Sequence, residues 1–372
     1  MPNEYAQTVN YRSIEPFKRV MIAAGKKTLQ FPNRRGVYIN SDVLHSHGAV
    51  FKYRGEQPYF LCQTQEGLGN KNWIAEWMYQ FSGTGETHYR GVAVDAALLI
   101  ANDLIAQGAM PVVWTDEVAA PGKGEWFEDE KRSNDYAEGC VEICQLLGMA
   151  LPAGESPALR YLLKSEPPVL SAPSLSGCIT GIIAPETNLI TGLKLSRGDS
   201  IIGVTSSGLH ANGVSLVIKR ALSLPDKFMT KLPNGNTLGE EALIPTSSYV
   251  RLVEALQEHP EVDIHALLPG TGSGVGKLAF DDRPFTYRVH TWPKVPVLFQ
   301  YMRELGVSLR DCLTTFNWGV GYYIFVSAAD AQKVISIGRR AGYDLLEVGR
   351  VEKGDRKTIF EPEGETLPPP GE

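Results

Sequence analysis

The stretch GVAVDAALLIANDLIAQGAMPVVWTD, residues 91–116, decides the fold. Residues 92–107 carry apolar side chains at helical spacing, without glycine or proline, which predicts a helix. Gly108 follows where a helix ends, and Pro111 lies beyond it. Residues 112–115 are a short apolar run that predicts a buried strand. Strand and helix patterns in alternation indicate an α/β or α+β fold.

The same alternation continues on both sides of this stretch. Further strand or helix patterns lie at residues 59–64, 133–148, 177–184, 200–205, 211–222, 246–258, 322–327 and 330–341. The 133–148 helix is expected to be capped by Ser133 or Asn134 and to stop at Gly148. Residues 157–176 are rich in Pro, Ser and Leu and are expected to be irregular.

A polar segment at residues 186–192 separates the two halves of the chain and predicts a domain boundary there. We therefore predict an N-terminal domain over residues 1–188 and a C-terminal domain over residues 189–360. The last residues, 361–372, contain Pro368-Pro369-Pro370 and are expected to be disordered.

The composition argues against several classes of function. The 372 residues carry a net charge of −6, which gives no electrostatic footprint for nucleic acid or an anionic membrane. No apolar run reaches the ~18–20 residues that span a bilayer, and the polar N-terminus has no apolar signal segment. The five cysteines are scattered and odd in number, so we expect free, buried thiols and a cytoplasmic protein.

Two segments of the first half suit a nucleotide with its metal ion. In the segment 64–71, Glu66 suits Mg²⁺, Gly67 and Gly69 allow backbone N–H groups to approach phosphate, and Lys71 neutralises charge. Taken alone, these residues favour an ordinary strand-to-helix turn with solvated charges over such a site. The second segment is Gly154-Glu155-Ser156, which offers another carboxylate beside a glycine, or simply a turn.

Acidic side chains also interrupt the predicted apolar helix over residues 92–107. Asp95 and Asp103 lie within roughly 80° of each other around its axis, with Asn102 adjacent. Asp116 ends the next strand. A carboxylate among apolar residues is costly unless it is paired or binds a metal, so a Mg²⁺ site and a salt-bridged aspartate both remain open.

Three loops of the second half carry polar groups or glycines. The loop 205–213 (TSSGLHANG) places two hydroxyls, an imidazole and an amide between a strand and a helix, where they can face an anion or form a plain turn. The loop 269–278 (PGTGSGVGKL) lacks the first glycine and the Ser/Thr of a phosphate-binding P-loop. The segment 315–321 (TFNWGVG) fits a tight turn that packs aromatic rings.

The order of these segments resembles the AIR synthetase (phosphoribosylformylglycinamidine cyclo-ligase) family over roughly residues 58–350. The runs SSGLHANG and TFNWGVG are the most specific, whereas ANDLIAQGA is shared with relatives such as thiamine-phosphate kinase and selenophosphate synthetase. The resemblance implies a two-domain α/β protein that dimerises through a barrel-like sheet of its N-terminal halves. It also implies cyclisation of formylglycinamidine ribonucleotide with ATP and Mg²⁺.

The resemblance assigns roles to individual positions. The implied catalytic residues are Asp103, Lys71 and Glu155. The implied nucleotide-binding residues are Glu66, Gly67, Gly69, Lys71, Asn102 and Asp116, and the implied metal ligands are Glu66, Asp103 and Asp95. The implied substrate-binding residues are Ser206, Ser207, His210, Asn212, Thr271 and Gly272.

The chain departs from the family pattern at three places. Glu66 stands where the family usually has aspartate, and Pro269 stands where it has histidine in a His-Leu-Thr-Gly-Gly-Gly loop. The glycine-rich loop that covers ATP is not evident in residues 24–48, where Lys26, Lys27, Arg34 and Arg35 either replace its phosphate contacts or are solvated surface charges. A related enzyme with another substrate and a non-catalytic dimer therefore stay open as alternatives.

Overall fold

A computed structural model describes residues 11–41 and 48–371. The chain divides into two compact units. The first contains the residues up to Leu104 together with Ala109–Thr187, and the second contains Ile105–Gly108 together with the residues from Asn188 onward. The division after Thr187 falls inside the polar segment 186–192. No helix among the described residues has both the length and the hydropathy needed to cross a membrane.

The first unit is built on a four-stranded sheet with the order β3-β6-β4-β5. Its strands are β3 (Phe60–Gly67), β4 (Met110–Ala119), β5 (Ala150–Glu155) and β6 (Ser174–Ile183). Strand β6 pairs antiparallel with β3 and β4, whereas β4 and β5 run parallel. A separate hairpin pairs β1 (Val37–Ile39) with β2 (Phe51–Tyr53). Within the described residues of one chain the four strands form an open sheet rather than a closed barrel.

The described residues of this unit also form four α-helices: α1 (Tyr11–Thr28), α2 (Lys71–Phe81), α3 (Tyr89–Leu104) and α4 (Glu130–Leu147). Helix α3 confirms the predicted helix, although it starts earlier and its last turn, Ile105–Gln107, is a 3₁₀ turn. The predicted cap of α4 is wrong. Asp129 caps the helix by accepting the Arg132 N–H, because the helix begins a turn earlier than its apolar residues suggest.

The two faces of the four-stranded sheet differ in burial. On one face Trp114 and Ile179 are fully buried, and the side chain of Ile100 from α3 reaches the backbone of Gly177. On the other face Gln63 and Gln65 of β3 are exposed. Alternation along β3 therefore separates a helix-covered face from a face that the described residues leave exposed at this strand.

The second unit is built on a seven-stranded sheet with the order β13-β12-β9-β11-β7-β10-β8. Its strands are β7 (Ser200–Thr205), β8 (Ile264–Pro269), β9 (Phe285–Val289), β10 (Val320–Val326), β11 (Leu345–Lys353), β12 (Lys357–Phe360) and β13 (Glu365–Leu367). Its helices are α5 (Val214–Leu222), α6 (Leu238–Ala242), α7 (Val250–Gln257), α8 (Val297–Glu304), α9 (Leu309–Thr315) and α10 (Ala331–Arg340). Strand β10, which pairs with β7 on one side and with the edge strand β8 on the other, is buried along its whole length.

The prediction of a disordered C-terminal tail is wrong. Residues Glu365–Leu367 form strand β13, which pairs antiparallel with β12, and the Leu367 side chain is fully buried. The proline-rich composition suggested disorder, but a buried leucine and a strand partner order this segment.

No cysteine among the described residues forms a disulfide, as predicted, but not all are buried. Cys140, Cys144 and Cys312 are buried, whereas Cys62 and Cys178 are half-buried on the adjacent strands β3 and β6. The expectation of buried thiols is therefore wrong for these two.

Candidate functional site

The turn between β3 and α2 leaves its backbone open. Glu66 is half-buried at the end of β3, and the exposed residues Gly67, Gly69 and Asn70 follow it. Gly69 has a φ of 74°, which favours glycine. Among the described residues, a Cβ at Gly69 would meet no atom within 4 Å, and one at Gly67 would meet only the Leu175 carbonyl oxygen at 3.8 Å. The described part of the chain therefore leaves this backbone accessible to an anionic ligand.

Lys71 and Asp95 form a buried ion pair. The distance from Lys71 Nζ to Asp95 Oδ2 is 2.8 Å, and both side chains are 0% exposed. Burial lowers the pKa of Lys71, and the charge and hydrogen bond of Asp95 oppose this shift. In this conformation neither side chain has surface to offer a ligand in water. Their assignments to a phosphate and a metal ion stay predictions that this geometry does not support.

Glu66 and Asp116 lie on the same face of the sheet. Both are in register with Gly177 of the intervening strand β6, so two strand spacings, about 10 Å, separate their backbones. Of the other predicted residues, Asn102 is buried and Asp103 half-buried near the end of α3. Among the described residues no three His, Cys, Asp or Glu side chains are grouped closely enough to hold a metal ion.

Asp116 sits in an unusual environment for a carboxyl group. Burial raises the pKa of Asp116 to about 7, against hydrogen bonds from its own backbone N–H and the Tyr136 hydroxyl. The thiols of Cys140 and Cys144 on α4 are also buried, and burial raises their pKa values well above the usual range. Asp116 is therefore a weaker acid than an ordinary aspartate and lies near two thiols whose pKa values are also raised.

Glu155 lies at the exposed end of β5. Its Oε1 atom accepts a hydrogen bond from the Ser156 N–H at 3.0 Å. Glu155 is in register with Glu117 of β4, whereas the preceding Gly154 is in register with Asp116. Because neighbouring residues of a strand point to opposite faces, Glu155 and Asp116 belong to opposite faces of the sheet.

Arg34 is exposed and Arg35 is half-buried, and both donate hydrogen bonds within the first unit. Their guanidinium groups donate to the Leu147 carbonyl at the C-terminal end of α4, and Arg35 also donates to the Pro111 carbonyl at 2.6 Å. Cations at this end complement the helix dipole, so both residues act in packing. Lys26 and Lys27 are exposed.

The predicted substrate-side loops meet at one edge of the second unit's sheet. Strands β7 and β8 both pair antiparallel with β10, so their carboxyl ends lie where β10 begins. The loop after β7 carries Ser206, Ser207, His210 and Asn212, and the loop after β8 carries Thr271 and Gly272. A Cβ on Gly272 would lie 3.7 Å from Asn212 Oδ1, which brings the two loops into contact.

Asn317 ties the loop after β7 to the start of β10. Its side-chain amide donates to the Gly208 carbonyl at 2.8 Å, and its Oδ1 accepts from the Ser206 hydroxyl at 3.0 Å and the Gly319 N–H at 2.9 Å. The predicted aromatic packing of this turn is confirmed, because Phe316 and Trp318 stack on the Phe299 ring. The organising role of Asn317 was missed, although the quoted TFNWGVG segment contains it.

His210 is held inside this loop cluster in a left-handed conformation, with φ 57°. Its Nε2 atom lies 3.4 Å from the Ser207 N–H nitrogen and 3.5 Å from that of Ser247. In both of these weak contacts Nε2 is the acceptor. Tyr249, whose hydroxyl donates to the Thr205 carbonyl at 3.0 Å, packs 6.2 Å from the imidazole between ring centroids.

The glycine-rich loop after β8 contains a lysine that sequence reasoning did not assign. Lys277 Nζ donates a hydrogen bond to the Thr271 hydroxyl. Ser273 has a φ of 75°, a conformation that glycine adopts more readily. Pro269, at the position of the family histidine, ends β8 opposite Tyr322.

The chain is thus a two-unit α/β protein. One unit has a turn whose backbone an anion can reach, and the other has a cluster of loops that carry hydroxyl and imidazole groups. The family models for the AIR synthase related protein match both units, the N-terminal domain over residues 47–183 and the C-terminal domain over residues 196–361. The chain belongs to this family, which confirms the predicted resemblance.

Known proteins of this family are similar over most of their length. The phosphoribosylformylglycinamidine cyclo-ligase of Pyrococcus furiosus is 29% identical, with 94% of this chain and 95% of that protein covered. The Brevibacillus brevis protein of the same name is 30% identical, with 85% and 88% covered. The crystal structure of the hydrogenase maturation protein HypE in complex with ATP has the same fold, with a TM-score of 0.60, 16% identity, and 88% and 90% covered.

Proposed function

We propose that this protein catalyses the ATP-dependent cyclisation of formylglycinamidine ribonucleotide to aminoimidazole ribonucleotide, releasing ADP and phosphate. The observation that carries the proposal is the loop cluster of the second unit, where Asn317 holds Ser206 in place beside His210. A fold kept only for assembly gives no chemical reason for this hydrogen-bonded set. Relatives about 30% identical are named as this cyclo-ligase.

In the proposed reaction ATP phosphorylates the formyl oxygen, which makes it a good leaving group, and an amidine nitrogen then closes the ring. Such phosphoryl transfer depends on positioning and charge stabilisation rather than on a protein nucleophile. The open backbone at Gly67 and Gly69 suits phosphate oxygens. We assign Ser206, Ser207, His210, Asn212 and the Thr271-Gly272 pair to the ribonucleotide.

For Mg²⁺ we propose a reduced set of protein ligands. Asp95 is already paired with Lys71, so the three predicted carboxylates do not fit one ion in this conformation. Mg²⁺ usually takes one or two carboxylates together with nucleotide phosphates and water. We therefore keep Glu66 and Asp103 as the proposed ligands, with Asn102 as a nearby support, and we leave Asp116, two strands away from Glu66, out of this set. Lys71 and Asp95 would then hold the β3–α2 turn in position.

We also propose that the protein is a homodimer formed through the first unit. Strand β3 is an eight-residue edge strand, and Phe60 and Leu61 on it are 45% and 61% exposed. Long edge strands with exposed apolar side chains are pairing surfaces. A Leu61→Asp variant should shift the mass measured by light scattering from dimer to monomer. Leu162→Asp, at another exposed leucine, is the control and should remain a dimer.

ADP release measured with formylglycinamidine ribonucleotide and Mg·ATP tests the reaction. Release that depends on this substrate supports the proposal. Release with another acceptor, such as thiamine monophosphate, would favour a related enzyme. If the folded protein shows neither turnover nor heat of ATP binding, a non-catalytic dimer becomes the better account.

A further inference from the structure

A cavity of about 190 Å³ lies in the first unit between helix α1 and strand β5. One wall is a stripe along α1 that includes Phe17, Met21 and Leu29, and the other wall is the segment 151–156. The helix and the strand meet at Gly25, where a Cβ would lie only 2.4 Å from the Leu151 carbonyl oxygen. The cavity borders this close contact, and its mostly apolar walls are typical of small-molecule sites.

Asp116 supplies a polar group to this cavity. Its side chain borders the space although only 7% of the residue is exposed. Gly154 faces it, and a Cβ there would lie 2.2 Å from Asp116 Oδ1. A side chain at residue 154 would therefore cover the carboxyl group, and glycine leaves it accessible. A carboxyl group in apolar walls selects a ligand that donates N–H hydrogen bonds.

Two lysines border the same cavity. Lys18 and Lys26 lie eight residues apart on α1, about 12 Å along its axis, so their flexible side chains can converge on one group between them. Neither lysine takes part in an ion pair among the described residues. Glu155, also in the lining, is exposed, and its Oε1 atom accepts the Ser156 N–H at 3.0 Å. The lysines favour an anionic group at the cavity.

We propose that this cavity binds the base of an amino-substituted heterocyclic mononucleotide. The exocyclic amine donates to Asp116, and the phosphate lies between Lys18 and Lys26. A cavity of about 150 Å³ is large enough for benzene, so the observed volume suits a single small ring system and leaves the phosphate outside. The site is separate from the Gly67–Gly69 turn proposed for the triphosphate, because no residue of that turn lines the cavity.

Calorimetric titration of the full-length protein with AMP tests this site. Lys26→Glu should weaken AMP binding about tenfold or more, because a contact between opposite charges becomes a repulsion. Lys27→Glu is the matched control, since Lys27 is exposed on the same turn but lies outside the cavity lining. IMP, which has a carbonyl in place of the amine, should bind more weakly than AMP. Asp116→Asn should abolish that difference.

Three results would overturn the proposal: no AMP binding at millimolar concentration, equal losses for the Lys26 and Lys27 variants, or equal affinities for AMP and IMP. A Gly69→Ala variant separates this site from the nucleotide turn. It should lower ATP-dependent turnover and leave AMP affinity unchanged, and a matching loss of AMP affinity would also overturn the proposal. Turnover without AMP binding would refute the proposed AMP site and leave the proposed cyclo-ligase activity standing. AMP binding without turnover would refute the cyclo-ligase activity and leave the AMP site standing.

Discussion

Replacing Asp95 with asparagine should destabilise the first unit strongly. The substitution preserves the shape of the side chain but leaves the Lys71 ammonium, 0% exposed, without its carboxylate at 2.8 Å. Removing one partner of a buried pair costs about 3–5 kcal/mol. Lysine can also lose its proton, and from an ordinary pKa of about 10.4 this costs roughly 4–5 kcal/mol at pH 7. Deprotonation of Lys71 therefore sets an upper limit on the destabilisation, and this limit is close to the cost of removing one partner of the pair.

The stability lost in the Asp95→Asn variant should also depend on pH. In the Asp95→Asn variant the folded pKa of Lys71 lies below its unfolded value, so the unfolded state binds more protons. Stability of the variant then rises with pH, by about 1.4 kcal/mol per unit between pH 7 and 10 where Lys71 is neutral in the folded state. Replacing both residues together, Lys71→Met with Asp95→Leu, should cost far less than the single change.

Urea denaturation, followed by tryptophan fluorescence, measures these differences. Four of the six tryptophans, Trp73, Trp77, Trp114 and Trp126, belong to the first unit, so the signal reports mainly on it. A loss below about 1 kcal/mol that does not change with pH would refute the buried ion pair. If ATP affinity fell at the same time, Lys71 and Asp95 would instead be ligand contacts, as the family pattern first suggested.

Three further substitutions test other parts of the account. Asp116→Asn should stabilise the protein by up to about 4 kcal/mol at pH 8 and by little at pH 4. The reason is that the folded pKa of Asp116 is raised to about 7, so ionising this carboxyl group lowers the stability of the folded state as the pH rises from 4 to 7. Thermal denaturation across this pH range checks the prediction. Glu76→Gln should lower the free energy of unfolding, measured by urea denaturation, by about 3 kcal/mol or more. The reason is that the fully buried Glu76 carboxylate accepts a hydrogen bond from Arg132 at 2.8 Å. Glu138→Gln, on the exposed face of α4, is the control and should change the free energy of unfolding little. Ser273→Gly should stabilise the second unit by about 0.5–1 kcal/mol, measured as a rise in Tm, by relieving a positive φ.

Much of the fold could be predicted because its signals are local. Helix α3 and strand β4 follow from apolar periodicity with Gly108 and Pro111 as breakers, and strand β7 matches the predicted run 200–205. The loops of the second unit were also predicted from local order, since a polar loop after each buried strand must lie at the sheet edge.

The pairing of Lys71 with Asp95 could not be predicted, because it depends on how α2 packs against α3. The sequence did show that a carboxylate in an apolar helix needs a partner or a metal, and the structure provides the partner. Strand β13 and the cavity beside α1 were missed for the same physical reason. Both depend on contacts between segments distant in sequence, which local composition does not encode.

The most direct test of the central claim is the product itself. Full-length protein is incubated with formylglycinamidine ribonucleotide and Mg·ATP, and aminoimidazole ribonucleotide and ADP are quantified by mass spectrometry. The account predicts equal amounts of the two products and neither product when the ribonucleotide is left out. ADP formed without the imidazole product, or no product from a folded and dimeric protein, would contradict it.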